Sequence, residues 1–371
     1  MKNILVFFGG QSPEHDVSIL TGVMTVNSVD KQKFTPLPVY VDRDGAWYTG
    51  DQLKDVANFK KLDFKKLKKV FILAGENALF TVKGKKIKKI CQVACAINCI
   101  HGVKGEDGSL KGLLDMSEIP VVGSPMLASS VAMDKIATKI FLKGLNIKCL
   151  PYVVLDKDTN LDEVVKKLGY PIMVKPANLG SSIGVNKAMD RAELEKSILK
   201  AKKFDDKIIL EKCAGGKLEI NAAAYRGKEG VVVSECEMPA TENKFLTFED
   251  KYVSGERVFP APISKKLSDK IREVTKKIYT SLWFSGAIRV DFLITDGTAY
   301  VNEINSVPGS MAYYLFTNTF SGFTDILTDM IEVAITQFNY KSTLIKRFDC
   351  DILKNTGVKG GKRFDNRGSF M

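Results

Sequence analysis

Three features of the sequence predict an α/β fold assembled from more than one domain. The chain has 371 residues, enough for two or three hydrophobic cores. It opens with an apolar run, Lys2 to Phe8, typical of a parallel strand covered on both faces; two glycines and a helix-starting Ser12-Pro13 follow. Near the other end, Ala287 to Tyr314 reads as two strands around a Thr-Asp-Gly-Thr turn and then a Pro-Gly loop. Amphipathic stretches at Ser268–Leu282 and Phe323–Phe338 flank that hairpin.

The composition is that of an ordinary globular chain, and the net charge of +12 needs a location before it needs a partner. Between Lys54 and Lys89 twelve lysines face three acids, and from Lys341 to Met371 eight basic residues face three acids. Those two segments carry more than the whole excess, and neither interleaves aromatic residues as a base-stacking surface does. Nucleic acid is therefore not expected as a partner. Nothing approaches the roughly 20 apolar residues of a membrane span, and the initial apolar run is too short for a signal peptide. Seven cysteines without paired spacing suit a reducing cytoplasm. Cys91, Cys95 and Cys99 alternate with Val93 and Ile97 in an apolar run, which fits small buried side chains better than a zinc site.

Taken in order, the first strand ends at Gly9-Gly10, and the helix from Ser12 to about Asn27 offers free N–H groups and a positive dipole end to an anionic ligand. Phe34–Val41 is the next strand, with a hairpin turn through Gly45 to Trp47. The lysine-rich segment is expected to be exposed and peripheral. Val93–Ile100 is a buried strand ending at His101, beside a glycine-rich turn, where parallel sheets place ligands. A helix from Met133 to Gly144, a strand at Pro151–Leu155 and a short helix at Asp162–Leu168 follow. Lys175 then sits on a strand leading into Gly180-Ser181-Ser182-Ile-Gly184. That loop can lie close over phosphates, donating from backbone and hydroxyl groups while the lysine neutralises charge. It is not a Walker A loop, because the lysine precedes it. Lys207–Leu210 is a strand ending at Glu211-Lys212, and Met238–Val258 is a long irregular segment of the kind used as a lid.

The terminal hairpin carries the most specific chemistry. On its first strand Arg289 and Asp291 share a face; on its second so do Glu303 and Asn305. A two-residue turn at Asp296-Gly297 would put Asp291 with Asn302. A three-residue loop, Asp296-Gly297-Thr298, would put Asp291 opposite Glu303 and Arg289 opposite Asn305. The second register sets two carboxylates against each other, which a bare hairpin avoids, and becomes favourable with Mg²⁺ between them. We expect that register, produced by the three-residue loop.

Arg289-Val-Asp291-Phe and Asn302-Glu303-Ile-Asn305-Ser-Val-Pro308-Gly309 resemble the C-terminal signature of the D-alanine–D-alanine ligases, members of the ATP-grasp superfamily. Glu14 in Gly-Gly-Gln-Ser-Pro-Glu-His, His101-Gly with Gly105-Glu-Asp-Gly, and Phe248-Glu-Asp-Lys251-Tyr252 are similar to that family's other motifs, and the resemblance spans roughly residues 2–338. It implies a Rossmann-like domain (1–134), then a two-lobed ATP-grasp fold of a central lobe (135–219) and a C-terminal lobe with the hairpin (220–340), and a basic tail (341–371) with a disordered end.

It also implies roles. Glu14 holds the ammonium of the first D-alanine, with Ser181 and Tyr252 in the same hydrogen-bond group and His101 beside the substrate. Lys135, Lys175, Ser182 and Lys251 serve ATP; Glu211-Lys212 form the adenine hinge, and Glu219 or Glu211 takes the ribose. Asp291, Glu303 and Asn305 hold Mg²⁺, with Mn²⁺ as a substitute, while Arg289 and the Gly309 N–H stabilise the tetrahedral oxyanion. Lys111 stands where the family has glutamine. Tyr314, beside Leu315 at the second substrate, stands where the family has a serine; its hydroxyl reaches the acceptor's carboxylate, its ring fills the pocket, or it packs in the core.

The implied activity is ATP-dependent joining of two D-alanines through an acyl phosphate, for peptidoglycan precursors, in the cytoplasm. The alternatives are a D-serine or D-lactate acceptor, which Tyr252 disfavours for the ester, or a non-catalytic ATP-binding module. D-Alanine and ATP are the expected partners; a homodimer is left open.

Overall fold

The structure, a computed structural model, describes residues 1–214, 218–239 and 257–347. The chain divides into two compact units, Met1–Ile335 and Thr336–Met371. Of the expected lid segment Met238–Val258, residues 240–256 lie outside the described residues; its ends, Met238–Pro239 and Arg257–Val258, are not irregular but pair as two short antiparallel strands. The end of the basic tail also lies outside the described residues.

In the first unit the opening apolar run becomes the strand Lys2–Gly9, paired in parallel with Phe34–Val41 and Cys95–Asn98. Residues Ile4 to Phe8 are fully buried, as covering both faces requires. The helix His15–Ser28 packs on this sheet, with Val23 and Val26 against Ile4, Val6 and Phe8. Val121–Val122 extends the sheet on one side. On the other it turns antiparallel through Trp47–Thr49, Lys68–Ile72, Ala78–Lys83 and Lys86–Gln92, making eight strands.

The lysine-rich segment is therefore more than a peripheral charged run. It supplies the last three strands on that side of the sheet, sending Leu67, Val70 and Leu79 into the core while Lys86, Lys88 and Lys89 on the outermost strand face solvent. Lysines on an edge strand discourage pairing with another chain. Cys95 and Cys99 are buried, and burial pushes both thiols up to about 12. Among the described residues no three His, Cys, Asp or Glu side chains are grouped to hold a metal. No described helix is long and apolar enough to cross a membrane.

Two antiparallel four-stranded sheets follow. One runs in the order Asn186–Ala188, Ile172–Pro176, Ile208–Lys212, Tyr152–Leu155, and is backed by the helices Leu161–Leu168 and Arg191–Ala201. The other runs Gly230–Val233, Leu218–Gly227, Ala287–Thr295, Thr298–Asn305. Its apolar face, with Ile220, Val290, Phe292 and Ile304, packs on the helix Lys265–Ser281 through Ile271, Ile278 and Tyr279. Ser264 caps that helix by accepting the Leu267 N–H. The sheet's other face carries Asn221, Arg289, Asp291 and Glu303, since side chains alternate along each strand.

Candidate active site

Across the terminal hairpin Asp291 pairs with Glu303 and Arg289 with Asn305. The register is the expected one, but its cause is not. Thr295 pairs with Thr298, so the turn has two residues, Asp296 and Gly297, both in the left-handed region at φ 49° and 68°. Phe292 pairs with Val301 and Asp291 with Glu303, leaving Asn302 as a β-bulge. The bulge, not a three-residue loop, brings Glu303 round to face Asp291. It also turns Asn302 to the same side, where its Oδ1 accepts a hydrogen bond from Lys175 Nζ at 3.2 Å.

Asp291 is almost completely buried. Arg289 clamps it with two hydrogen bonds, Nε to Oδ1 at 2.6 Å and a terminal nitrogen to Oδ2 at 2.8 Å, and Asn305 Nδ2 donates to Oδ2 at 3.0 Å. Two carboxylates face to face with an amide carbonyl beside them form an all-oxygen donor set, which suits a hard divalent cation.

Glu303 and Asn302 border a cleft between the two antiparallel sheets. Its wall includes Lys135, Lys175, Ser182, Glu211, Lys212 and Glu219, six of the seven residues expected at the nucleotide; the seventh, Lys251, is outside the described residues. Glu303 and Asn302 complete the wall from the hairpin. Glu211 is buried, and both carboxylate oxygens face lysines: Oε1 lies 2.7 Å from Lys139 Nζ and Oε2 lies 2.5 Å from Lys175 Nζ. Burial pushes its carboxyl up, but the Lys175 and Lys139 charges outweigh burial and hold it at about 2. Both ribose candidates line the cleft; Glu211 is buried between the lysines, while Glu219 is half-buried.

The Gly180–Gly184 loop joins the strand of Lys175 to the next. Lys135 Nζ donates to the Leu179 carbonyl at 2.5 Å, and Asp205 holds the Asn178 N–H at 2.7 Å. Ser181 and Ser182 adopt φ of 50° and 58°, a costly conformation for residues with a Cβ. In return, the buried Ser181 hydroxyl donates to Glu14 Oε1. A Cβ on Gly180 would stand 3.1 Å from both Glu14 oxygens, and one on Gly102, at φ 75°, would stand 3.0 Å from Oε2. Glycine at both positions lets two loops close on one carboxylate.

His101, buried, pairs its Nε2 with Thr21 Oγ1 at 3.0 Å, and Thr21 Oγ1 accepts the Ser310 N–H at 3.1 Å. This chain ties the histidine to the loop after Gly309, where Ser310, Met311 and Ala312 are all left-handed at φ 52–54°. Glu106 approaches His101 Nδ1 at 3.8 Å; burial pushes that carboxyl up, against the pull of His101.

Tyr314 is half-buried, and its hydroxyl is hydrogen-bonded with Arg289. Burial pushes the phenol up, so it stays protonated. Arg257 lies over the ring at 4.8 Å from its centroid, donates to the Tyr314 carbonyl at 3.2 Å, and approaches the buried Glu237 at 3.4 Å. Leu315 packs with Ala223 and Ala312, so only its backbone remains for a ligand. Lys111 is paired with Asp115, one turn along its own helix.

Comparison with known proteins decides the family. Residues 3–124 match the family described as "D-ala D-ala ligase N-terminus" and residues 141–332 the one described as "D-ala D-ala ligase C-terminus". The chain belongs to the D-alanine–D-alanine ligase family. A D-alanine–D-alanine ligase of Thermosipho melanesiensis is 37% identical, over 98% of this chain and 100% of the relative. One from Geobacillus kaustophilus is 32% identical, over 92% and 97%. Among solved structures, the D-alanine-D-alanine ligase from Coxiella burnetii superposes with a TM-score of 0.80 at 25% identity, covering 95% of this chain and 98% of that one. The VanG D-Ala:D-Ser ligase from Enterococcus faecalis gives 0.76 at 26% identity, with 90% and 99% covered.

Within this ligase chain, Glu14, Ser181 and His101 gather at one end, Arg289, Asp291, Glu303, Asn305 and Tyr314 around the hairpin, and the lysines along the cleft. Tyr252, expected beside Glu14, lies outside the described residues. Sequence reading assigned no role to Lys139, Asn302, Thr21, Arg257 or Glu237. Lys139 left a trace as the second lysine of Lys135-Ile-Ala-Thr-Lys139, and Asn302 as the first residue of the hairpin signature; Thr21, Arg257 and Glu237 depend on contacts between distant segments.

Proposed function

We propose that this chain is an ATP-dependent D-alanine–D-alanine ligase that makes the dipeptide for peptidoglycan precursors. The observation that carries the reading is the bulged hairpin, which faces Asp291 with Glu303 on the border of the cleft that collects the lysines and the glycine-serine loop. Family membership supports it, since these ligases are ATP-dependent.

In this reading Lys135, Lys175 and the Gly180–Gly184 loop bind the phosphates, and Lys212 and Glu219 bind the adenosine. Glu14, held by Ser181, receives the ammonium of the first D-alanine, with His101 at its side. A carboxylate oxygen of that D-alanine attacks the γ-phosphorus and ADP leaves. The amine of the second D-alanine then attacks the acyl carbon, loses its proton, and phosphate departs. Arg289 and the Gly309 N–H take the charge that develops on the carbonyl oxygen. Asp291, Glu303 and Asn305 hold Mg²⁺, which supplies neutralisation of phosphate charge. Lys251 and Tyr252 belong to a lid that keeps water from the acyl phosphate. The domain limits implied above, a Rossmann-like domain to residue 134 and ATP-grasp lobes meeting near residue 219, belong to the same proposal. A cytoplasmic location suits the free cysteines and the need for ATP.

The test is D-alanine-stimulated release of ADP and phosphate with Mg²⁺. Equal ATP turnover without D-alanine, or with L-alanine in its place, would refute the proposal and leave a non-catalytic ATP-binding module.

Tyr314 is proposed to shape the acceptor subsite through its hydroxyl at Arg289. Tyr314→Phe and Tyr314→Ser are expected to change the ratio of kcat/KM among D-alanine, D-serine and D-lactate by about tenfold. Identical acceptor profiles and Michaelis constants in all three proteins would show that the side chain does not shape the pocket.

A further inference from the structure

Among the described residues only two lysines are buried, Lys139 at 2% exposure and Lys175 at 8%. Lys175 and Glu211 line the cleft; Lys139 does not. It projects from the helix Lys135–Gly144, its ammonium 5.4 Å from the centre of the Tyr152 ring, and reaches Glu211 from behind. One carboxylate is thus shared by two ammonium groups, and the three charges sum to +1 at the wall of the cleft. Charges so placed are weakly screened, so their balance is felt by a ligand in the cleft.

We propose that Lys139 is a positioning residue for nucleotide phosphates. By neutralising Glu211 from the side away from the cleft, it leaves the charge of Lys175 available to an incoming polyphosphate. Without Lys139, the carboxylate at 2.5 Å would cancel Lys175 and hold it back from the ligand. The cluster would then present no net charge to the phosphates. Lys175 also donates to Asn302 Oδ1, a neutral acceptor on the hairpin bulge that fixes its direction without consuming its charge. The inference rests on the reading that the cleft binds ATP.

The experiment measures dissociation constants of ATP, ADP and adenosine, with Mg²⁺, for the full-length wild type, Lys139→Met and the double variant Lys139→Met/Glu211→Gln. Lys139→Met is expected to weaken ATP by about tenfold or more, the size of one charge-assisted contact. ADP should weaken less and adenosine not at all. The double variant, which restores a net +1 by removing the carboxylate, should recover much of the ATP affinity. Lys139→Gln, which keeps a donor for Glu211, carries the same expectation should the methionine variant not fold.

An unchanged ATP affinity would overturn the proposal. So would an equal loss for adenosine and ATP, which a merely packed side chain produces, or a double variant no better than the single one. A wild type that does not bind ATP would instead remove the nucleotide reading itself.

Discussion

Glu303→Gln is expected to lower turnover by about 10² to 10³, the range seen when a group that stabilises developing charge is lost. Turnover should require a higher Mg²⁺ concentration, because one of the two facing carboxylates becomes a neutral amide. Thermal stability should stay level or rise, since directly opposed like charges cost up to about 1 kcal/mol. Glu303 is only half-buried, so loss of its charge is expected to cost the fold little. The combination is what tests the site. A metal-binding carboxylate gives lost activity with retained stability, and Mg²⁺ should raise the melting temperature of the wild type more than that of the variant. A variant that turns over normally at low Mg²⁺, or that melts well below the wild type, would show Glu303 to be structural.

The hairpin also shows how far sequence reasoning reached. The alternation of Ile288, Val290 and Phe292 with Arg289 and Asp291 was legible, and so was the chemical incentive to face Asp291 with Glu303. The mechanism was misread because strict period-two alternation allows only the turn to set the register. A clue was present in the second strand: Val301 and Ile304 are three apart, yet both are buried, at 1% and 4% exposure. A regular strand cannot put residues three apart on one face, so an extra residue must lie between them. The lysine-rich segment illustrates the opposite difficulty. Its charges dominate the sequence, while its three strands are defined by pairing to Trp47–Thr49 and to each other, which no local pattern reveals. Long-range contacts hid the rest: Lys139 with Glu211, and Thr21 between His101 and Ser310, join segments that look independent when read in order.

Arg289→Met should behave in the opposite way to Glu303→Gln. Arg289 donates twice to Asp291, whose side chain is about 1% exposed, and the Tyr314 hydroxyl and the buried Glu237 share the same neighbourhood. Removing the guanidinium leaves a buried carboxylate without its main counter-charge, a change that costs about 3–5 kcal/mol. Burial already pushes the Glu237 carboxyl up, and Arg289 is the first group pulling it back down. Stability should therefore fall together with activity, and the activity loss should exceed what partial unfolding explains, by about 10² to 10³ at temperatures where the variant is folded. Added Mg²⁺ should recover part of the lost melting temperature, because the cation can replace the missing positive charge beside Asp291 and Glu303. Arg289→Lys keeps the charge but cannot make the paired contact, and is expected to regain more stability than activity. If Arg289→Met keeps the wild-type melting temperature, the clamp on Asp291 is not what holds this end of the hairpin. If it keeps wild-type turnover, the oxyanion role proposed for Arg289 is wrong.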